Sequence, residues 1–316
     1  MLMPETPLTL FHSRLATLSG QLAGVLDGRA DSVHDARVAT RRIRELLPLL
    51  AESQRAADDL ARRFRRMGRA LGSVRNADVN VDMLASLEGR VPHAAPALVV
   101  LRQDHERARL ELMRQLIKTF EKLDVEAMVR APGQSGSRAG LAGWRLHSRI
   151  TWQRALRTTL DTRGRACVEA VRHATGVYFP NRVHGARIAI KKLRYALEIA
   201  EDTGHDRGGD ALADLKRAQH VLGELHDRQA LLDEFAALDL TQQPAGSADQ
   251  IRLVAQVVAA EIRTLHAGYL SQRARIVEIS QRELRTNHLL SARLPQAIVL
   301  ATVAASSSLL LRRRTG

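Results

Sequence analysis

Along residues 8–26, Leu8, Phe11, Leu15, Leu18, Leu22 and Val25 recur at alternating spacings of three and four, which places them on one face of a helix. Gly28 stops that helix, and Asp31 or Ser32 caps a second one running to about Leu50, with Pro48 kinking or closing its last turn. A third helix covers residues 56–71, bent or interrupted at Gly72 before the apolar pattern resumes as far as Leu87. A loop at 89–96 leads to a fourth helix over 97–128, and the Gly, Ser and Pro of 131–143 form the clearest linker. The order then repeats: a helix over 149–175, a turn at 178–181, a helix ending at 200, and a Gly-rich loop at 204–209. A helix from 211 continues past Gly223 to 238, and a last long helix spans 249–285. No run alternates like a strand, and aromatic residues make up only 3% of the chain. The fold class is all-α.

The second helix carries two separate faces. At about 100° per residue, Val33, Ala36, Ile43, Leu46, Leu47 and Leu50 gather on one side, while His34, Arg37, Arg41 and Arg44 fall within a distinct arc of about 80°. Arg42 projects from the other flank. From Val38 to Arg44 no carboxylate is interspersed, so like charges at i,i+4 cost stability with nothing local to offset them. The same arrangement returns 150 residues later as His184, Arg187, Lys191, Lys192 and Arg194. A second block, Leu71-Gly72-Ser73-Val74-Arg75-Asn76, returns at an offset of 151 as Leu222-Gly223-Glu224-Leu225-His226-Asp227. Two blocks in nearly one register indicate an internal duplication. The expected architecture is two antiparallel four-helix bundles, 8–130 and 144–285, joined by the linker and followed by a C-terminal tail or docking helix over 286–316.

Charge narrows the function. The chain has 48 Lys and Arg against 34 Asp and Glu, a formal +14, and a field of that sign attracts polyanions: nucleic acid, anionic membrane or polyphosphate. The single cysteine, Cys167, excludes an intramolecular disulfide framework and reads as a buried apolar residue in a reducing, cytoplasmic setting. The N-terminus lacks the pattern of a secretory signal. Residues 297–311 carry no charge, but a helix of that length spans roughly 22 Å against a hydrocarbon core of about 30 Å. A stable membrane anchor is therefore not expected.

The chemistry of the repeated helices is that of anion contact. Residues 34, 37, 41 and 44 line about 15 Å of helix axis, a row that matches a chain of phosphates. Arginines supply forked charge-assisted hydrogen bonds, and Lys191 and Lys192 supply point charges. Through the repeat, Arg65, Arg66 and Arg69 correspond to Lys216, Arg217 and His220, and Arg75 corresponds to His226 at the glycine positions. His34 and His184 have three readings: anion contacts, structural hydrogen-bond donors, or metal ligands and phospho-acceptors, the last disfavoured by the arginines around them. Asp78 and Asp227 are expected to orient arginines or to cap. No phosphate-binding Gly loop, nucleophile elbow, His-Glu-x-x-His sequence or paired Cys motif occurs, so catalysis has no positive support and no cofactor or metal is expected. Two other functions remain open. An RNA- or DNA-binding module ranks lower because Phe64 and Tyr195 alone interrupt the basic stripes with aromatic surface. A metal-dependent phosphohydrolase would centre on His34 and His184.

His34 with Arg37, Arg41, Arg42 and Arg44, then Leu71-Gly72 with Arg75-Asn76-Ala77-Asp78-Val79, repeated from His184 to Tyr195 and from Leu222 to Asp227, resembles the CHAD family of helical histidine domains over residues 8 to about 285. The resemblance implies two four-helix bundles around a basic central pore or cleft that binds inorganic polyphosphate, commonly at bacterial polyphosphate granules. The sequence departs from the family's Arg-Asp pair after the first glycine, where it has Arg75-Asn76.

Overall fold

The structure is a computed structural model that describes residues 6–50, 54–129, 148–204, 209–238 and 246–312; the side chains of 54–57, 149 and 285–312 lie outside the description, as does the expected linker at 131–143. Every regular element described is helical. In order they are α1 (Pro7–Leu26), α2 (Ala30–Leu50), α3 (Gln54–Arg90), a 3₁₀ turn (Pro92–Ala94), α4 (Ala95–Leu123), α5 (Val125–Val129), α6 (Arg149–His173), α7 (Pro180–Asp202), α8 (Gly209–Ala237) and α9 (Ser247–Arg312).

Local chemistry explains most boundaries. The Thr6 hydroxyl accepts from the Thr9 amide at 3.1 Å and Pro7 occupies the first turn of α1, a start that satisfies one orphan donor and needs no amide from the proline. Gly28, at φ +74°, turns the chain into α2 in a conformation that costs glycine little. Asp31 and Ser32 do not cap α2 as expected: the helix begins at Ala30, which puts Asp31 in the first turn, where its charge suits the helix dipole, and buries Ser32. Pro48 sits inside the last turn of α2. The expected break at Gly72 does not occur either, since α3 runs unbroken for 37 residues. A glycine costs a helix interior about 1 kcal/mol, and packing of α3 along both α2 and α4 outweighs that. The fourth helix instead ends at Asp124, at φ +48°, where α5 begins. The last helix passes the expected end at 285 and continues to Arg312.

Helices α1 to α4 pack in sequence, each on the next, and α5 folds back on α1. Helices α6 to α9 do the same, with α9 closing onto α6. The two sets meet where α2 touches α6 and α7, α3 touches α8, and α4 touches α9. One buried apolar cluster runs through both sets, from Phe11, Leu15 and Ile43 to Leu193, Leu222 and Ile276. A smaller one, including Leu84, Leu98, Phe235 and Val258, fills the region where α3, α4, α8 and α9 converge. Burying each such side chain contributes about 1.5–3 kcal/mol. Cys167 lies within the larger cluster. Among the described residues no helix is long and apolar enough to cross a membrane.

Candidate functional site

The apolar face of α2 (Val33, Ala36, Ile43, Leu46 and Leu47) is fully buried, and that fixes where the basic face points. Arg37, Arg41 and Arg44 are left half-buried on it. On α7 the same logic buries Val183, Ala186, Ile190 and Leu193 and leaves Arg187 and Lys191 half-buried. The two basic faces meet. Arg41 donates through Nη1 to the Tyr195 hydroxyl at 3.4 Å across the contact of α2 with α7. Burial first, and then neighbouring cations of the two faces, lower the pKa values of Arg37, Arg187 and Lys191.

Those shifts record both burial and repulsion. Burial, then Arg41, Arg187 and Arg37, push the Lys191 ammonium down to about 7. Burial, with Arg41 and Arg187, brings Arg37 down to about 10. Arg44 is lowered by burial, then by Arg65, Arg41 and Arg69, so α3 extends the cluster at that end. At the other end burial, then Arg75, lowers His34. Burial and then Arg187 lower both His184 and His226, the latter to about 4; these two rings lie 4.9 Å apart between centroids. Asp227 is the carboxylate that faces the cations. Burial raises its pKa, against the pull of Arg187, Arg37, Arg75 and Arg228.

Of the basic residues singled out in the sequence, the structure brings some together and holds others apart. The structure gathers His34, Arg37, Arg41, Arg44, Arg65, Arg69, Arg75, His184, Arg187, Lys191 and His226 into one electrostatically connected cluster. Arg194 is not part of it. That side chain is buried, ion-paired with Glu198 four residues on, bonded through Nε to Gln219 Oε1 at 2.7 Å and stacked over the Tyr195 ring. Arg42 also faces Glu198, with Nε 3.4 Å from Oε2. Lys192, Arg66 and Lys216 are exposed, Arg217 is tied to Asp214, and His220 stands 3.6 Å from Glu224. Asp78 orients an arginine, as expected, but it is Arg109, whose Nη2 also donates to the Gly28 carbonyl at 2.7 Å. Tyr195 and Asp227 had only weak sequence signals, an aromatic beside a basic stripe and an acid after a glycine. The pairing of Arg194 with Glu198 was visible as an i,i+4 pair.

Gly72 acquires a role here. A Cβ at that position would lie 3.4 Å from Arg37 Nε, so the bare backbone lets the guanidinium lie against α3. Among the described residues no three His, Cys, Asp or Glu side chains come together in a way that could hold a metal ion.

Basic residues of α2 and α7 lie together beside those of α3, and the sequence model of the CHAD domain matches residues 9–237. The chain belongs to the CHAD family. Two solved structures share the fold. The CHAD domain from the plant Ricinus communis is 19% identical, with a TM-score of 0.60, over 84% of this chain and 89% of that one. PptA from Streptomyces chartreusis is 15% identical, with a TM-score of 0.57, over 88% of this chain and 96% of that one. No curated protein matches the sequence. In this CHAD chain the cationic cluster lies within the matched span.

Proposed function

We propose that this protein binds inorganic polyphosphate without turning it over, laying the chain along Arg37, Arg41, Arg44, Arg187 and Lys191, with Arg65, Arg69 and Arg75 of α3 at the flanks. One observation carries the reading. These cations crowd together, and among the described residues none of them has a carboxylate within ion-pairing distance, while arginines elsewhere are paired one after another: Arg14 with Asp202, Arg102 with Glu88, Arg163 with Glu45. Glu45, the acid beside Arg44, is itself occupied by Arg163 at 2.5 Å. A protein that leaves its most crowded cations without ion-pair partners is matched to an anion with closely spaced charges.

The internal repeat fits a long ligand. Related helices α2 and α7 supply arginine forks and a lysine point charge to one surface, which suits a flexible polyanion of repeating unit more than a single small anion. Association with polyphosphate granules follows from such binding. Duplication of one helical unit into two is the simplest origin for the shared motifs.

Reversing Arg41 and Lys191 together to Glu is expected to weaken binding of long polyphosphate more than about 100-fold near physiological salt, with helicity by circular dichroism unchanged. Arg194 is left alone in that variant because reversing it would set it against buried Glu198. Retained affinity would refute the site. In the same titration, RNA that displaced polyphosphate at equal phosphate concentration would make nucleic acid the ligand, and phosphate release with Mg²⁺, Mn²⁺ or Zn²⁺ would make the protein an enzyme.

A further inference from the structure

Beside Arg187 the cationic cluster opens into a pocket of about 240 Å³ between the first turns of α7 and the middle of α8. Its walls are chemically ordered. On the side of the cluster stand Arg187, His184 and His226. The lining also carries Tyr178, which donates its hydroxyl to Gln229 Oε1 at 2.8 Å, and Gln229 Nε2 donates to Asp233 Oδ1 at 2.7 Å. Pro180 and Asn181, the opening residues of the 23-residue helix α7, form the rim, so the positive end of the helix dipole is directed at the same space.

Resting on the polyphosphate reading, we infer that this pocket is a chain-end subsite, which takes the terminal phosphate of the polyanion whose internal phosphates lie along α2 and α7. Charge is the first argument. The pocket lining sets Arg187 and two imidazoles beside one carboxylate, Asp233, so it suits a single phosphate and repels a second that would follow it in. The second is the chemistry of the end group. An internal phosphate carries one charge and no titratable proton near neutrality, whereas a terminal phosphate holds a second ionisable proton with a pKa of about 6, as in a phosphomonoester. At pH 7.5 the terminal group is mostly a dianion with more charge and more accepting oxygens than an internal phosphate, and Arg187 and the N–H of each neutral imidazole supply donors for it. Third, neither histidine ring has a carboxylate partner within ion-pairing distance among the described residues, although His105 and His220 have theirs in Glu234 and Glu224.

The test compares long polyphosphate with free ends and the same length of chain with both terminal phosphates capped as alkyl esters. In a long chain the lost end charges are negligible, so a purely electrostatic track binds both alike. Wild-type protein at pH 7.5 is expected to bind the free-ended chain about tenfold more tightly, and the double variant His184→Asn, His226→Asn is expected to bring that ratio close to one. The readout is the ratio, whatever happens to the absolute affinity. Because the wild-type comparison requires no variant, misfolding cannot mask the answer. Equal wild-type affinities for capped and free-ended chains would overturn the chain-end subsite while leaving polyphosphate binding intact, as would a ratio that survives the double substitution. Failure to bind either chain would instead remove the polyphosphate reading on which the subsite rests.

Discussion

Lys191 shows how much a single side chain records of its surroundings. Its ordinary value of 10.5 is pushed down to about 7 because burial and three arginines disfavour the ammonium. A bound phosphate reverses that balance, so above pH 7 the protein takes up a proton when it binds. The sign follows directly: polyphosphate affinity falls as pH rises from about 7 toward the ordinary lysine range, by up to about tenfold per pH unit. Stability of the unliganded protein moves the opposite way. In that window the unfolded chain holds the proton that the folded one has released, so raising the pH favours the fold. Lys191→Arg, which keeps the charge at every pH in the window, is expected to flatten the affinity profile between pH 7 and 9. A flat profile in the wild type, measured by titration calorimetry in buffers of matched ionic strength, would show that Lys191 does not face the ligand.

Helices α3 and α8 carry the same motif and treat its glycine differently. In α3 a Cβ on Gly72 would touch Arg37 Nε, whereas around Gly223 in α8 nothing lies within 4 Å. Gly72→Ala and Gly223→Ala are each expected to stabilise the protein by up to about 1 kcal/mol, the usual gain on removing glycine from a helix interior. A larger residue separates the two positions. Gly72→Leu displaces the Arg37 guanidinium and is expected to lower polyphosphate affinity about tenfold, the scale of one charge-assisted hydrogen bond, while Gly223→Ala leaves affinity unchanged; thermal melts and one titration series check both. These glycines also mark the limit of reading helices from sequence. The apolar periodicity of α1 and α2 and the basic row of α2 were legible because each depends only on 3.6-residue geometry. The continuity of α3 through Gly72 was not, because flanking helices decide it. Nor was the separation of Arg42 from the row, since Glu198, which pairs with Arg194 along α7, reaches Arg42 only through the packing of α7 on α2.

Across the molecule as a whole, several charges are paired where the two sets of helices join, whereas among the described residues the crowded cations of α2 and α7 have no ion-pair partner. Arg14 with Asp202, Arg42 with Glu198, Arg163 with Glu45, and His105 with Glu234 all connect α1, α2 or α4 to α6, α7 or α8. Between those ties the cations of α2 and α7 repel one another, and that repulsion adds to burial in lowering Arg37 and Lys191. With a formal +14 overall, the free protein holds together against its own binding site. Salt therefore acts with opposite signs on two observables: it screens the repulsion and raises the thermal midpoint of the free protein, yet it weakens polyphosphate binding by counterion competition. The same reasoning makes Arg41→Glu an unusual variant. It places a carboxylate among Arg37, Arg187 and Lys191, so it removes polyphosphate affinity and still stabilises the unliganded fold. A gain of about 1 kcal/mol corresponds to roughly 2–4 °C in the midpoint for a protein near this size. Polyphosphate at saturating concentration raises the wild-type midpoint by mass action and leaves the variant's where it was. A variant less stable than wild type in low salt would mean that the cations are not straining the fold, and the cluster would then owe its lowered pKa values to burial alone.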